Sequence, residues 1–171
     1  HPGWPDDKST LYPVHEDLLK AGKIHAVEVL NYMEYYPVAF DWCNQYGIAP
    51  MANTDIHDLI SGDYGWGGGK MRPMTLVFAT ERSEKGIKEA LFARRTAALF
   101  DGKLMGKAEY LMKLVQSSLK IRRINDKTIE VTNISDIPYE MTNGGKLYLF
   151  PCRKTVRIGI PKEGALVFEN C

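Results

Sequence analysis

Met74-Thr75-Leu76-Val77-Phe78-Ala79 is nearly continuous in apolar residues. A strand buried on both faces reads this way, as the strands of parallel sheets do. Helical patterns stand on either side of it. Downstream, residues 83–95 open on Ser83, a good N-cap, and stripe Ile87, Ala90 and Leu91, while residues 107–115 stripe Ala108, Leu111, Met112 and Val115. Upstream, residues 37–47 place Ala39, Trp42, Cys43 and Tyr46 at i, i+3, i+4 and i+7, with Pro37 suited to a first turn, and residues 14–22 form a further helix candidate. Residues 24–30, 48–53 and 96–100 read as strands between them. Alternating strand and helix predicts an α/β fold with parallel strands through about Val115.

From about Gln116 the helical period is lost. Residues 128–132, 146–150, 155–160 and 165–168 read as strands, and Val156, Ile158 and Ile160 alternate with Arg157 and Gly159, one face dry and one wet. Asn143-Gly144-Gly145 and Lys162-Glu163-Gly164 are turn chemistry. The organisation expected is therefore an α/β region over residues 1–115 and a β-rich region over residues 116–171. The second is short for a complete β-sandwich, which runs to roughly 100 residues.

The 171 residues are 44% hydrophobic and 25% charged, a globular composition that excludes disorder, collagen and coiled coil. Lys plus Arg number 22 and Asp plus Glu 21, a net charge of +1. Binding to a phosphate backbone normally goes with a basic excess, so no sequence-specific nucleic-acid binding is expected. No stretch approaches the roughly 18 apolar residues of a membrane span. Cys43, Cys152 and Cys171 form no C-x-x-C pair, which argues against a zinc ribbon or a thioredoxin-like site. One disulfide is arithmetically possible and nothing selects its pair. The first residue is His1, and no leader pattern is visible in these residues.

Asn53-Thr54-Asp55-Ile56-His57 follows the short strand 48–53. Residues at the C-terminal end of a parallel strand point into the mouth of the sheet or barrel, where α/β enzymes build their sites. On an extended backbone the Asp55 and His57 side chains leave on the same side, so they reach one metal or two neighbouring ones. Carboxylate plus imidazole suits zinc, manganese or iron. Taken by itself, D-x-H is also the pattern of a turn-forming Asp beside a surface His. His1-Pro2-Gly3-Trp4-Pro5 puts an imidazole at a sharp turn; it is also what a loose terminus looks like, or a copper-chelating terminal His. Gly62-Asp63-Tyr64-Gly65-Trp66-Gly67-Gly68-Gly69-Lys70 fails the phosphate-loop pattern, which needs Gly at Tyr64 and Ser or Thr at Met71. It reads as a glycine-rich loop beside the D-x-H. Arg72 follows it and is a candidate anion clamp or a surface ion-pair partner. No G-x-S-x-G occurs; Cys43 reads as core, His15 as a packed or capping residue, His25 as a core or edge residue. Lys120-Ile121-Arg122-Arg123 reads as a solvated face.

Taken together, H-P-G-W at residue 1, I-H-A-V-E-V-L-N from Ile24 and A-N-T-D-I-H ending at His57 resemble the second half of the PHP domain (polymerase and histidinol phosphatase). More narrowly, residues 1–111 look like PHP phosphoesterases common in Bacteroidetes, of the Sb-PDE phosphodiesterase type. Glu34-Tyr35-Tyr36-Pro37, Trp42-Cys43, Arg72 through Ala79, Glu89-Ala90-Leu91 and Arg94-Arg95-Thr96-Ala97 carry that likeness.

The resemblance implies a distorted seven-stranded β/α barrel, followed by a small β-sandwich-like region, with up to three zinc, manganese or iron ions at its mouth. The family's ligands lie on H-x-H, on further His residues and a bridging Glu, on the His of an H-P motif, and on D-x-H. His1 corresponds to the H-P histidine, and Asp55 and His57 to D-x-H. Asp55 and His57 are thereby the expected catalytic residues, and His1, Asp55 and His57 the expected metal ligands. No H-x-H occurs. In the family pattern the three residues serve three different metals, and one protein ligand each is too few for a stable site. The chain is thus expected to be the C-terminal half of a larger phosphoesterase that acts on a small or nucleotide-like phosphate ester, with Tyr35 and Arg72 contacting substrate. The resemblance also implies export to the periplasm. The alternative is a non-catalytic binding protein, a decayed barrel and a β-module that recognise a carbohydrate or protein partner. Its nine Tyr and three Trp would serve that role.

Overall fold

A computed structural model describes residue 2 and residues 8–65, 71–161 and 167–171. The chain divides into two compact units, His1–Tyr110 and Leu111–Cys171. The first unit runs α1 (Pro13–Lys20), β1 (Ala26–Asn31), β2 (Glu34–Tyr35), α2 (Pro37–Tyr46), β3 (Ala49–Asn53), α3 (Ile60–Tyr64), β4 (Met74–Val77), α4 (Glu84–Phe92), β5 (Thr96–Phe100) and β6 (Lys103–Gly106). Helix α5 (Ala108–Ser118) follows.

Local chemistry sets the helix ends. Pro37 opens α2, where its missing N–H costs nothing, and Gly47 closes the helix at φ +61°. The Ser83 hydroxyl accepts from the Gly86 N–H at 3.0 Å and caps α4. His15 sits in the first turn of α1, where its Nδ1 accepts from the Tyr12 N–H at 3.4 Å. These are packing and capping roles.

Strand direction differs from the sequence expectation. β1 and β3 are parallel, paired from Ala26 with Ala49 to Asn31 with Asn53, and β2 pairs antiparallel with the end of β1. β4, β5 and β6 form an antiparallel sheet of order β4-β5-β6. The run at 74–79 is not the strand buried on both faces: β4 is half-buried throughout, whereas Thr96, Ala97, Ala98 and Leu99 of β5 are buried. An apolar run reports burial and is silent on direction. Three hydrogen bonds lay the second sheet against β3: Thr96 Oγ1 donates to the Pro50 carbonyl at 2.8 Å, and Thr75 Oγ1 donates to the Ala52 carbonyl and accepts from the Ala52 N–H, each at 2.9 Å. With Thr75 opposite Ala98 and Val77 opposite Thr96, β3 runs along β5 and against β4. Leu19, Val29, Leu30, Tyr36, Ala39, Cys43, Ile48, Ala52 and Ala98 make the core. Burial pushes the Cys43 thiol up to about 12.

The second unit is antiparallel: β7 (Leu119–Asn125), β8 (Thr128–Asn133), β9 (Tyr139–Asn143), β10 (Lys146–Phe150), β11 (Thr155–Gly159) and β12 (Val167–Phe168). Its sheets have the orders β11-β8-β7 and β10-β9-β12. Leu111, Val115, Val131, Ile137, Tyr139, Met141, Tyr148 and Phe150 are buried in it. The expected turn at Lys162-Glu163-Gly164 lies outside the described residues. All three cysteines are free. Among the described residues no helix is long and apolar enough to cross a membrane. The architecture shown is mixed helix and strand with small sheets.

Candidate functional site

Because β1 and β3 are parallel, their C-terminal ends lie side by side, Asn31 opposite Asn53. The chain leaves β3 into Thr54-Asp55-Ile56-His57, and three consecutive residues at that exit are held by three different elements. The Thr75 hydroxyl on β4 bonds both the N–H and the carbonyl of Ala52, each at 2.9 Å. Asn53 Nδ2 donates to Glu28 Oε1 on β1 at 2.5 Å. The Tyr64 hydroxyl on α3 donates to the Thr54 carbonyl at 2.9 Å. The Asn53 carbonyl also accepts from the Tyr32 N–H at 3.1 Å, and the Tyr32 and Tyr64 rings meet edge to face at 5.9 Å.

The next residue, Asp55, is left-handed at φ +49°. For a residue with a Cβ that conformation costs on the order of 1–2 kcal/mol, less for Asp than for most, and it persists where neighbours over-determine it. It brings Asp55 Oδ1 to 3.6 Å from His57 Nε2. The His57 side chain is 86% exposed and that of Asp55 43%, so the pair is presented on an open surface.

The expected site residues are distributed as follows. Asp55 and His57 come together. His1 lies outside the described residues, as do residues 66–70 of the glycine-rich loop; the part of that loop within α3 supplies Tyr64. Tyr35 is paired with Leu30, one residue short of Asn31, so it belongs to the same end of β1; partial burial raises its phenol above the usual range, with the Asp41 charge adding to the shift. Arg72 is exposed, three residues before Thr75; β4 runs against β3, so the start of β4 lies at the end of β3. His25 packs its ring on Phe92 at 5.3 Å. Glu28, Asn31, Thr75 and Tyr64 were not legible as site residues. The one local signal is a carboxylate at Glu28 between Val27 and Val29, since a charge in an apolar strand needs partners.

The donor chemistry of Asp55 and His57 fits a divalent cation: donors 3.6 Å apart can share an ion about 2 Å from each. The pair falls short in number. Among the described residues no group of three His, Cys, Asp or Glu could hold a metal. A cavity of about 320 Å³ beside β1 is lined largely by apolar residues such as Leu19, Val27, Trp42 and Ile48, which does not suit a phosphate group.

No family model matches the chain. No curated protein matches it either. Among solved structures it is similar to a two-domain protein from Bacteroides vulgatus ATCC 8482 that contains a predicted PHP-like metal-dependent phosphoesterase. The two are 34% identical with a TM-score of 0.84, over 96% of this chain and 53% of that one. The chain thus spans about half the length of the structure it matches.

Proposed function

We propose that this chain, which belongs to the PHP superfamily, serves in a metal-dependent phosphoesterase to which it contributes Asp55 and His57 as metal ligands. The observation that carries the reading is the 3.6 Å approach of Asp55 to His57 at a strand end. It occurs in a chain 34% identical to a protein containing a predicted PHP-like metal-dependent phosphoesterase. In this reading residues 1–115 belong to a β/α barrel, residues 116–171 form a β-rich region that follows it in the chain, and His1 is a third ligand. The remaining ligands come from residues other than these, since two or three donors do not close a multi-metal site.

A bound zinc, manganese or iron group would supply the positive charge that neutralises a phosphoryl group and acidifies water. The chain's own residues do the rest. Asp55 presents a carboxylate held by the strand end, and His57 presents an imidazole nitrogen. Arg72 offers a guanidinium suited to non-bridging phosphate oxygens, and Tyr35 a phenol at the same end. The substrate class proposed is a small or nucleotide-like phosphate ester.

The test is turnover of chromogenic phosphodiester and phosphomonoester substrates by the full-length parent protein with added Mn or Zn. Chelator-sensitive hydrolysis that falls by two orders of magnitude or more on Asp55→Ala or His57→Ala is the expected result. A full-length protein that binds no metal and turns over neither ester overturns the reading and leaves a non-catalytic binding role.

A further inference from the structure

The three braces at the exit of β3 differ in kind. Thr75 and Tyr64 bond backbone atoms; Glu28 works through a side chain, that of Asn53. Glu28 is half-buried in β1, and a carboxylate there is tolerated only when its oxygens are satisfied. Oε1 accepts from Asn53 Nδ2 at 2.5 Å and Oε2 from Asn31 Nδ2 at 3.0 Å. Asn31 is itself buried.

Glu28 and Asn31 are three residues apart, which on a regular strand would put them on opposite faces. The register of β1 against β3 slips between Glu28 and Leu30, and this irregularity restores them to one side, facing Asn53. Bulges next to active sites re-aim side chains in this way. The carboxylate therefore ties the end of β3 to β1 through the Asn53 amide, while the Asn31 amide of its own strand holds its other oxygen. The tie falls two residues before the left-handed Asp55.

We propose that Glu28 is a positioning residue for the Asp55–His57 pair: by fixing the Asn53 side chain it sets the direction in which β3 exits, and so holds the Asp55 carboxylate toward His57. The inference rests on the metal-ligand reading of that pair given above. Residues that orient metal ligands typically change metal affinity by about 10–100-fold when removed.

The experiment is a titration of the 171-residue chain with Zn²⁺ alone, followed by the NMR signals of the His57 ring. Glu28→Gln keeps the shape of the side chain and replaces one acceptor by a donor; Asn53→Ala removes the other partner from the exposed side, where folding is least at risk. Each is expected to weaken Zn²⁺ binding at His57 about ten-fold, and the double variant no more than the stronger single one, because both cut the same tie. Ser83→Ala, which removes the α4 cap, is expected to lower the melting temperature and leave the Zn²⁺ affinity unchanged. An affinity for Glu28→Gln and Asn53→Ala within two-fold of the parent, with Asp55→Ala losing binding, overturns the proposal and leaves the metal-ligand reading standing. A loss on Glu28→Gln as complete as on Asp55→Ala, with Asn53→Ala unaffected, makes Glu28 a ligand and also overturns it. An equal loss on Ser83→Ala would show general destabilisation, with the same consequence. An unchanged affinity on Asp55→Ala removes the metal-ligand reading and this inference with it.

Discussion

The hydroxyl of Tyr64 donates to the carbonyl of Thr54, one residue before Asp55 turns left-handed. Tyr64 is buried, and burial raises its phenol above the usual range, with Tyr32 and Asp63 adding to the shift; its proton stays on the oxygen and available for that bond at neutral pH. The five-residue helix α3 thus acts on the site through one hydrogen bond from its last residue.

Tyr64→Phe keeps the ring against Tyr32 and removes only the bond. The expected cost is about 0.5–1.5 kcal/mol of folding stability, the usual net worth of a single intramolecular hydrogen bond. Urea denaturation of the two chains measures it. Their m-values should agree, because the surface exposed on unfolding is the same.

Asn133 in the β-rich unit should be far more costly to lose. It is buried, its Nδ2 donates to the carbonyls of Ile137 at 2.8 Å and Phe150 at 2.9 Å, and its Oδ1 accepts from the Ser135 N–H and hydroxyl. Asn133→Ala leaves several polar groups without partners at once. A loss of roughly 2–4 kcal/mol follows if one or two of those groups stay dry. Thermal unfolding should show it, and Asn133→Asp should recover little, since it restores no donor for the two carbonyls.

Glu130 on β8 stands between Arg122 on β7 and Arg157 on β11, with contacts of 2.8 Å and 3.2 Å. Hydrogen bonds from Arg122, then from Arg157, hold its carboxyl below the usual carboxylate range. A carboxyl depressed in the folded state stabilises the fold above its unfolded value, about 4.3 for Glu, and that contribution is lost as pH falls through the folded value. The stability difference between the parent and Glu130→Gln should therefore be constant near neutral pH and shrink below about pH 4. Denaturation at a series of pH values checks this. A difference that grows as pH falls would contradict it.

Much of the secondary structure was legible because its signals are local. Pro37 and Gly47 bracket α2, Ser83 caps α4, and the expected strand 96–100 is β5 as observed. β7 was obscured because Arg122 and Arg123 read as a solvated face, although Arg122 is tied to Glu130 across the sheet. α3 was missed because Ser61 and Gly62 are weak helix formers in so short a segment. Strand direction was read from an apolar run that carries no such information. In the site, D-x-H was legible because its two donors are two residues apart. Its braces were not: Thr75 is 23 residues from Ala52 and Glu28 is 25 from Asn53, and no local pattern records a bond across such distances.

Asp55 and His57 offer two donors on an open surface, and no third joins them among the described residues. Affinity rises steeply with the number of preorganised ligands, and two exposed donors compete poorly with water and buffer. The 171-residue chain should therefore bind Zn²⁺ or Mn²⁺ weakly, in the millimolar to high micromolar range, and hydrolyse phosphodiesters no faster than buffer. The braced exit of β3 still predicts where that weak binding falls. The His57 ring signals should shift first and most, ahead of His25, whose ring is packed on Phe92, and of His15, whose Nδ1 is engaged by Tyr12. Asp55→Ala should abolish the shift at His57 and leave those at His15 and His25 in place. Tight stoichiometric metal binding by this chain, or turnover by it, would mean that the site draws on other residues of the chain.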